Sequence, residues 1–296
     1  MTERMAPAHA TFIGADDNRL VANVYGREGP PVLLLHGGGQ TRHAWRATAI
    51  AIARAGRVAY ALDQRGHGNS DRVASGAYAF DDFAADARVV ADALAERAGV
   101  RPVVIGASLG GIAALLAEGA AKRAGRPAVF AALVLVDITP RLDRAGIGKI
   151  QAFMSAHSGA GFGSIAEAAD AVAAYLPHRP QPGSHEGLKR NLRLHPDGRW
   201  RWHWDPRFIE TARSAIQGRD AIEEVLEAAA AKLTLPTLLV RGGSSELVQK
   251  THARAFLDLV PHAEYVDVAG AHHMVAGDRN DQFSVAILDF LRRLPS

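Results

Sequence analysis

The sequence predicts an α/β protein, a mostly parallel sheet with helices on both faces, interrupted by one inserted and mainly helical segment. Three observations carry this. Short apolar runs alternate with helical stretches through residues 1–138 and again from 232 to 296. Several of those runs are apolar at every position, as strands covered on both faces are. Between the two stretches, residues 139–231 show little strand signal and many Pro, Gly, His and Trp. The expected organisation is therefore a core of residues 1–138 and 232–296 and a cap of residues 139–231, inserted where strand ends gather ligands.

The elements follow in chain order. Residues 10–14 and 19–25 read as a hairpin turned by Asp16-Asp17-Asn18. Residues 31–35 form the next apolar run, and a glycine cluster leads from it into a helical stretch over 43–55. Runs at 58–62, 103–105 and 130–136 alternate with helical stretches at 80–97 and 109–121. After the insertion, strands are expected at 237–240 and 265–268 and a last helix at 281–291. Such an order implies right-handed crossovers and a parallel sheet.

Composition excludes several classes. The chain has 296 residues, 48% of them hydrophobic, enough for a large core. A net charge of +3 against 34 Lys and Arg, with no run of like charges, offers no arm for nucleic acid, and 4 Trp and 5 Tyr are too scattered for a base-stacking platform. With no cysteine there is no disulfide, thiol nucleophile or thiolate metal site. Residues 1–10 lack the apolar stretch of a signal peptide, and no segment approaches bilayer-spanning length, so the expectation is a cytoplasmic protein without membrane partners.

The most informative segment is Gly106-Ala107-Ser108-Leu109-Gly110, which ends one apolar run and opens a helical one. A serine at so sharp a strand-to-helix turn has its hydroxyl pushed clear of the sheet, and only small residues fit two places before and after it. The helix that follows aims its first N–H groups at the same spot, where acyl transfer builds negative charge. A serine that merely caps the helix would also fit the pentapeptide. The surrounding chain favours the nucleophile.

A serine hydroxyl needs a base, an acid to orient the base, and donors for the oxyanion. His273 follows the run at 265–268, and Glu246 lies just beyond the run at 237–240. Ser108, Glu246 and His273 thus occur in the order expected of a triad on a doubly wound sheet. His36-Gly37-Gly38-Gly39 ends the run at 32–35, where glycines let the backbone approach a substrate oxygen. The expected donors are the N–H groups of Leu109 and Gly38, with Gly39 as the alternate. In the insertion, Trp200-Arg201-Trp202-His203-Trp204 alternates aromatic and polar residues like a strand or hairpin with one buried face. Phe153, Met154, Tyr175, Leu176, Trp202 and Trp204 are the candidates for an apolar substrate wall, although aromatic stripes most often serve packing. His178, Arg179, Arg190, Arg193 and His203 read as a solvated basic face rather than a carboxylate site.

With these pieces assembled, the chain resembles the α/β-hydrolase fold superfamily over nearly its whole length. The resemblance rests on Leu35-His36-Gly37-Gly38-Gly39 with Trp45, on residues 63–70 (DQRGHGNS), on the elbow at 106–110, on Arg241-Gly242-Gly243 with Glu246, and on His273-Met274-Val275. It implies an eight-stranded sheet, a cap between the sixth and seventh strands, and hydrolysis without a cofactor. His36 and the 65–70 loop resemble structural elements beside the oxyanion hole. Two positions depart from the pattern. The acid position more often holds Asp, whereas Glu246 is one methylene longer. Some relatives take the acid from the end of the sixth strand, where Asp137 stands, and Asp137 is the alternate acid, although Ile138-Thr139-Pro140 gives it another use in turning the chain. His272 stands where glycine is common, a second candidate base beside His273.

The expected reaction is cleavage of an ester, lactone or thioester of a small acyl substrate through an acyl-enzyme. A C–C bond hydrolase and a cofactor-free perhydrolase or haloperoxidase would use the same triad. The serine at the elbow argues against epoxide hydrolases and haloalkane dehalogenases, which resemble this chain but use a carboxylate there. A nicotinamide-dependent dehydrogenase is imitated by the glycines at 37–39 and by Asp63, but Arg42 occupies the place where close helix packing needs a third small residue. Nothing in the sequence fixes the oligomeric state.

Overall fold

The computed structural model describes residues 5–177, 184–210, 219–273 and 281–294. The chain opens with β1 (Ala8–Ile13) and β2 (Arg19–Tyr25), then runs β3 (Pro31–Leu35), α1 (Arg46–Arg54), β4 (Val58–Asp63), α2 (Phe80–Ala98), β5 (Val103–Ala107), α3 (Leu109–Arg123) and β6 (Ala132–Val136). An insertion follows, made of α4 (Arg144–Ser155), α5 (Ile165–Tyr175), a small hairpin of β7 (Leu192–Leu194) and β8 (Trp200–Trp202), α6 (Arg207–Glu210) and α7 (Arg219–Ala230). The core resumes with β9 (Thr237–Gly242), α8 (Lys250–Leu259), β10 (Glu264–Val268) and α9 (Asp281–Arg293). The elements fall where the sequence puts them to within a few residues. Of the two readings of the 200–204 segment the strand holds, since Trp200–Trp202 forms β8 and pairs with β7.

The eight large-sheet strands lie in the order β1-β2-β4-β3-β5-β6-β9-β10. β2 is antiparallel to β1 and β4, and every other pairing is parallel. Residues of one strand alternate between two apolar layers, as the twofold strand period requires. Leu33 and Leu35 pack with α2 and α3 residues such as Phe83, Val90 and Leu115. Val32 and Leu34 pack on the other face with Ile52 of α1 and Ile287 and Phe290 of α9. Both faces being covered explains why β3, β5 and β6 are apolar throughout.

Buried polar ties hold the end of β4 and the loop that follows it. The loop after β4 carries Arg65, wholly buried, whose guanidinium donates bidentately to Asp86 of α2 at 2.7 Å, to Asp16 at 2.7 Å and to the Ala77 carbonyl at 3.0 Å. Asp63, at the end of β4, accepts the Arg42 backbone N–H at 2.6 Å and pairs with the Arg42 side chain, while Arg42 also donates to Asn23 Oδ1 at 2.9 Å. The acidic end of β4, which a nucleotide-binding fold would turn to a ribose, is therefore spent on the chain's own arginine.

Removing one partner of a buried pair leaves an uncompensated charge. Asp86→Ala is expected to lower the free energy of unfolding by about 3–5 kcal/mol in a urea titration, whereas Asp92→Ala, which loses only an exposed bond to Arg88, shifts it by less than about 1 kcal/mol.

Candidate active site

The carboxyl edge of the sheet gathers Ser108 after β5, Asp137 after β6, the 36–39 loop after β3 and His273 beyond β10. Ser108 sits at φ 46° and ψ −115°, a left-handed conformation rare for a residue with a Cβ. Its neighbours explain how the turn closes. A Cβ on Gly106 would lie 2.5 Å from the Gly110 carbonyl, and one on Gly110 would lie 2.4 Å from the Leu35 carbonyl, so helix and strands meet backbone to backbone. The Ser108 side chain makes no capping hydrogen bond to α3, which separates it from a serine that merely starts a helix. It lines a large cavity together with Gly38, Leu109 and His273.

The imidazole meets Asp137. His273 Nδ1 donates to Asp137 Oδ2 at 2.7 Å, which leaves Nε2 for proton transfer. Asp137 is fully buried and has a positive φ of 50°, a backbone bend that aims its carboxylate across the strand ends. Its Oδ1 accepts the Gly242 N–H at 3.0 Å, and its Oδ2 also accepts the Ser245 hydroxyl at 2.7 Å. Ser245 Oγ in turn accepts the N–H groups of Leu247 and Val248 at 3.1 and 3.0 Å. Three donors on one buried carboxylate fix its position.

Glu246, the carboxylate preferred from sequence, is not brought to the imidazole. In the loop after β9 it is Ser245 that turns inward to Asp137, while Glu246 is half-buried, with its main-chain carbonyl against Gly146 of α4. It makes no hydrogen bond to His273 among the described residues. The alternate acid is the one in contact. Of the two adjacent histidines, His273 is buried on the cavity and His272 faces outward.

The N–H groups of the 37–40 turn are used differently. Gly37 donates to Gln40 Oε1 at 3.0 Å, Gln40 to the Gly37 carbonyl at 3.1 Å, and Gly39 to His67 Nε2 at 3.1 Å. Gly39, the alternate oxyanion donor, is therefore already spent. The N–H groups of Gly38 and Leu109 make no hydrogen bond among the described residues, and both residues line the cavity.

Three buried histidines hold that turn. His36 Nε2 accepts the Gln64 N–H at 3.1 Å, and its Nδ1 lies 2.8 Å from the Gly37 carbonyl. His67 Nδ1 donates to the Arg65 carbonyl at 2.8 Å, leaving Nε2 as the acceptor for Gly39. His203, from the insertion, accepts the Gly68 N–H on Nδ1 at 2.7 Å and donates from Nε2 to the Gly39 carbonyl at 3.2 Å. Each ring accepts on one nitrogen and donates on the other, a pattern open only to neutral imidazole. Burial pushes His36 down to about 4 and His67 down to about 3, and it holds His203 well below the usual range. His203 is thus no part of a solvated basic face. His178 and Arg179 lie outside the described residues.

The cavity wall is apolar and comes largely from the insertion. Trp202 and Trp204 stack at 4.9 Å between ring centres, Phe153 and Tyr175 at 4.1 Å, and Met154 joins them. Leu176, the sixth residue expected there, is not on the wall, because it stands just past the end of α5. Phe208, Leu142, Ile150, Leu226 and Leu247 line it as well. They escaped sequence reading because a lone apolar residue in a helix or loop carries no mark of which surface it faces. Besides Ser108, His273 and Tyr175, the polar side chains on the wall are Gln151, Asn191 and Glu223, and no Lys or Arg is among the described lining residues.

Comparison with known proteins is consistent with this arrangement. Residues 30–279 match the profile of the alpha/beta hydrolase fold family. An esterase of Mycobacterium tuberculosis is 32% identical over 231 residues, 76% of this chain and 70% of its own. The 2-(acetamidomethylene)succinate hydrolase of Mesorhizobium japonicum is 29% identical over 279 residues, 93% of both chains. A crystal structure of E-2-(acetamidomethylene)succinate hydrolase superimposes with a TM-score of 0.79 at 24% identity, covering 96% of this chain and 100% of that one. No helix among the described residues is long and apolar enough to cross a membrane.

The neutral histidines tie stability to pH. Unfolded, each imidazole takes up a proton near 6.5; folded, His36 and His67 resist until about 4 and about 3. Their contribution is therefore complete above pH 6.5 and is lost as pH falls from there toward the folded values. Between pH 7.5 and pH 5, each of the two is expected to remove roughly 2 kcal/mol. The check is the unfolding midpoint in urea across that range, which a protein with ordinary histidines would hold nearly level.

Proposed function

The chain belongs to the α/β-hydrolase fold family, and from that premise we propose that it is a serine hydrolase cutting a neutral carboxylic ester or related acyl bond, with Ser108 as nucleophile, His273 as base and Asp137 as the acid. The observation that carries this reading is the 2.7 Å bond from His273 Nδ1 to Asp137, on the wall of the cavity that Ser108 also lines. Esterase and lipase relatives support it.

The chemistry follows from the atoms. Ser108 Oγ attacks the carbonyl carbon and gives its proton to His273 Nε2; Asp137 stabilises the imidazolium without taking a proton. The carbonyl oxygen, now an anion, lies against the unspent N–H groups of Leu109 and Gly38 at the head of α3. Collapse expels the alkoxide, which takes the proton from Nε2 and leaves an acyl-serine. Water then loses a proton to Nε2, attacks the acyl carbon, and the released serine oxygen recovers that proton. Residues 139–231 act as a cap in this reading. Their aromatic side chains enclose the acyl group and keep the intermediate from bulk solvent.

The cavity chemistry argues for a neutral substrate. A succinate-derived substrate carries two carboxylates, and desolvating them against the described wall, which is mostly apolar, would cost several kcal/mol. Among the described lining residues the one charged side chain is Glu223, which repels such a group.

Two measurements test the proposal. A fluorophosphonate probe is expected to label the wild type and not Ser108→Ala, and Asp137→Asn is expected to lower kcat for a p-nitrophenyl ester by about 10⁴-fold, while Glu246→Gln stays within a few fold. A reversed ranking of those two variants would return the acid to the loop after β9. Independently, kcat/KM for p-nitrophenyl butyrate is expected to exceed that for its monosuccinate counterpart by at least about a hundredfold, a gap that corresponds to the cost of burying one carboxylate unpaired.

A further inference from the structure

A second concavity lies on the other side of the oxyanion turn, lined by Thr41, Arg42, His43, Gly68, Asn69, Arg190 and Arg193. Its cations come from two parts of the chain, Arg42 from the core and Arg190 and Arg193 from the insertion. They are not equally neutralised. Arg42 is paired with Asp63. Arg193, half-buried, donates only to neutral acceptors: the carbonyls of Leu192 and Gly68 and the Asn69 amide oxygen, each at 3.0 Å. Arg190 makes no hydrogen bond or ion pair among the described residues. Two guanidinium groups without a carboxylate therefore converge on one hollow.

The rest of the lining offers donors rather than acceptors. With its amide oxygen given to Arg193, Asn69 has only its NH₂ left to present. Thr41 holds a hydroxyl there with no partner among the described residues. The positive field is felt by the neighbouring ring: His43 is pushed down to about 4 by burial and then by Arg42, with Arg190 and Arg193 adding to it and Asp63 opposing. An arrangement of paired guanidinium forks and short hydroxyl and amide donors matches the oxygens of a phosphate or carboxylate.

We propose that this hollow is a binding site for a small oxyanion, a phosphate or carboxylate group held between the Thr41–His43 turn of the core and Arg190 and Arg193 of the insertion. The group binds apart from the catalytic cavity, with which the hollow shares no lining residue. It ties the insertion to the core at a sensitive place, because Leu188 and Asn191 of the same segment line the catalytic cavity. The site stands independently of the hydrolase reading.

The test is isothermal titration of the full chain at pH 7.5 and low ionic strength with inorganic phosphate and, separately, acetate. Saturable binding of either is expected, weakened at least tenfold by R190Q and by T41V. Arg190 is exposed and unpaired and Thr41 donates nothing to the fold, so both variants should keep the wild-type unfolding midpoint. Tighter binding of phosphate would mark a phosphorylated ligand, and tighter binding of acetate a carboxylate. Absence of saturable binding for both, or affinities unchanged in R190Q, would overturn the assignment, as would equal displacement by chloride at matched ionic strength.

Discussion

The contact on which the architecture of this site depends is the backbone-to-backbone approach of α3 against β3 and β5. Gly106 and Gly110 leave no room for a side chain, since a Cβ at either would sit at about two-thirds of a normal contact distance from a carbonyl group, at 2.5 and 2.4 Å. That approach forces Ser108 into a left-handed conformation costing on the order of 1–3 kcal/mol. The strain is held by what surrounds it, two apolar layers and a sheet buried on both faces. In return the hydroxyl and the first free N–H of α3 face the same cavity.

A second constraint is electrostatic. A buried carboxylate needs donors around it, and the end of β6 supplies a place where three converge: the Gly242 N–H, the Ser245 hydroxyl and the His273 ring. Glu246 has no such setting. Length of side chain is not what separates the two. Asp137 leaves a central strand flanked by β5 and β9, so it is surrounded by strand ends, whereas Glu246 lies farther along a loop whose inward position Ser245 already occupies.

The neutral histidines join catalytic core and insertion. Gly39 is gripped from both sides, its N–H by His67 and its carbonyl by His203, so the turn that leaves Gly38 unspent is fixed by one ring from the core and one from the inserted segment. Ring contacts of 5.1 Å between His36 and His67 and 5.8 Å between His67 and His203 make the three a packed unit. A proton on any one would remove an acceptor and bring a charge into an unsolvated cluster. The segment between β6 and β9 therefore reaches the 37–40 turn itself, through His203.

What the sequence determined by itself was local. The alternation of strand and helix, the parallel sheet and the sharp turn at 106–110 were legible, because each depends on residue size or periodicity within a few positions. Five of the six apolar residues singled out in the insertion line the cavity, although Met154, Trp202 and Trp204 among them also pack in the core, so a bulky side chain by itself did not separate wall from packing. Tertiary structure alone decided the rest. Whether Asp137 or Glu246 meets the imidazole depends on how β6, β9 and the chain beyond β10 converge from residues more than a hundred apart. Nothing in the neighbourhood of Ser245, His67 or His203 announces the bonds they make, and the pairing of Arg42 with Asp63 is invisible until β4 is laid beside β3. Hydrogen bonds between distant segments have no period in sequence, so only the folded chain reveals them.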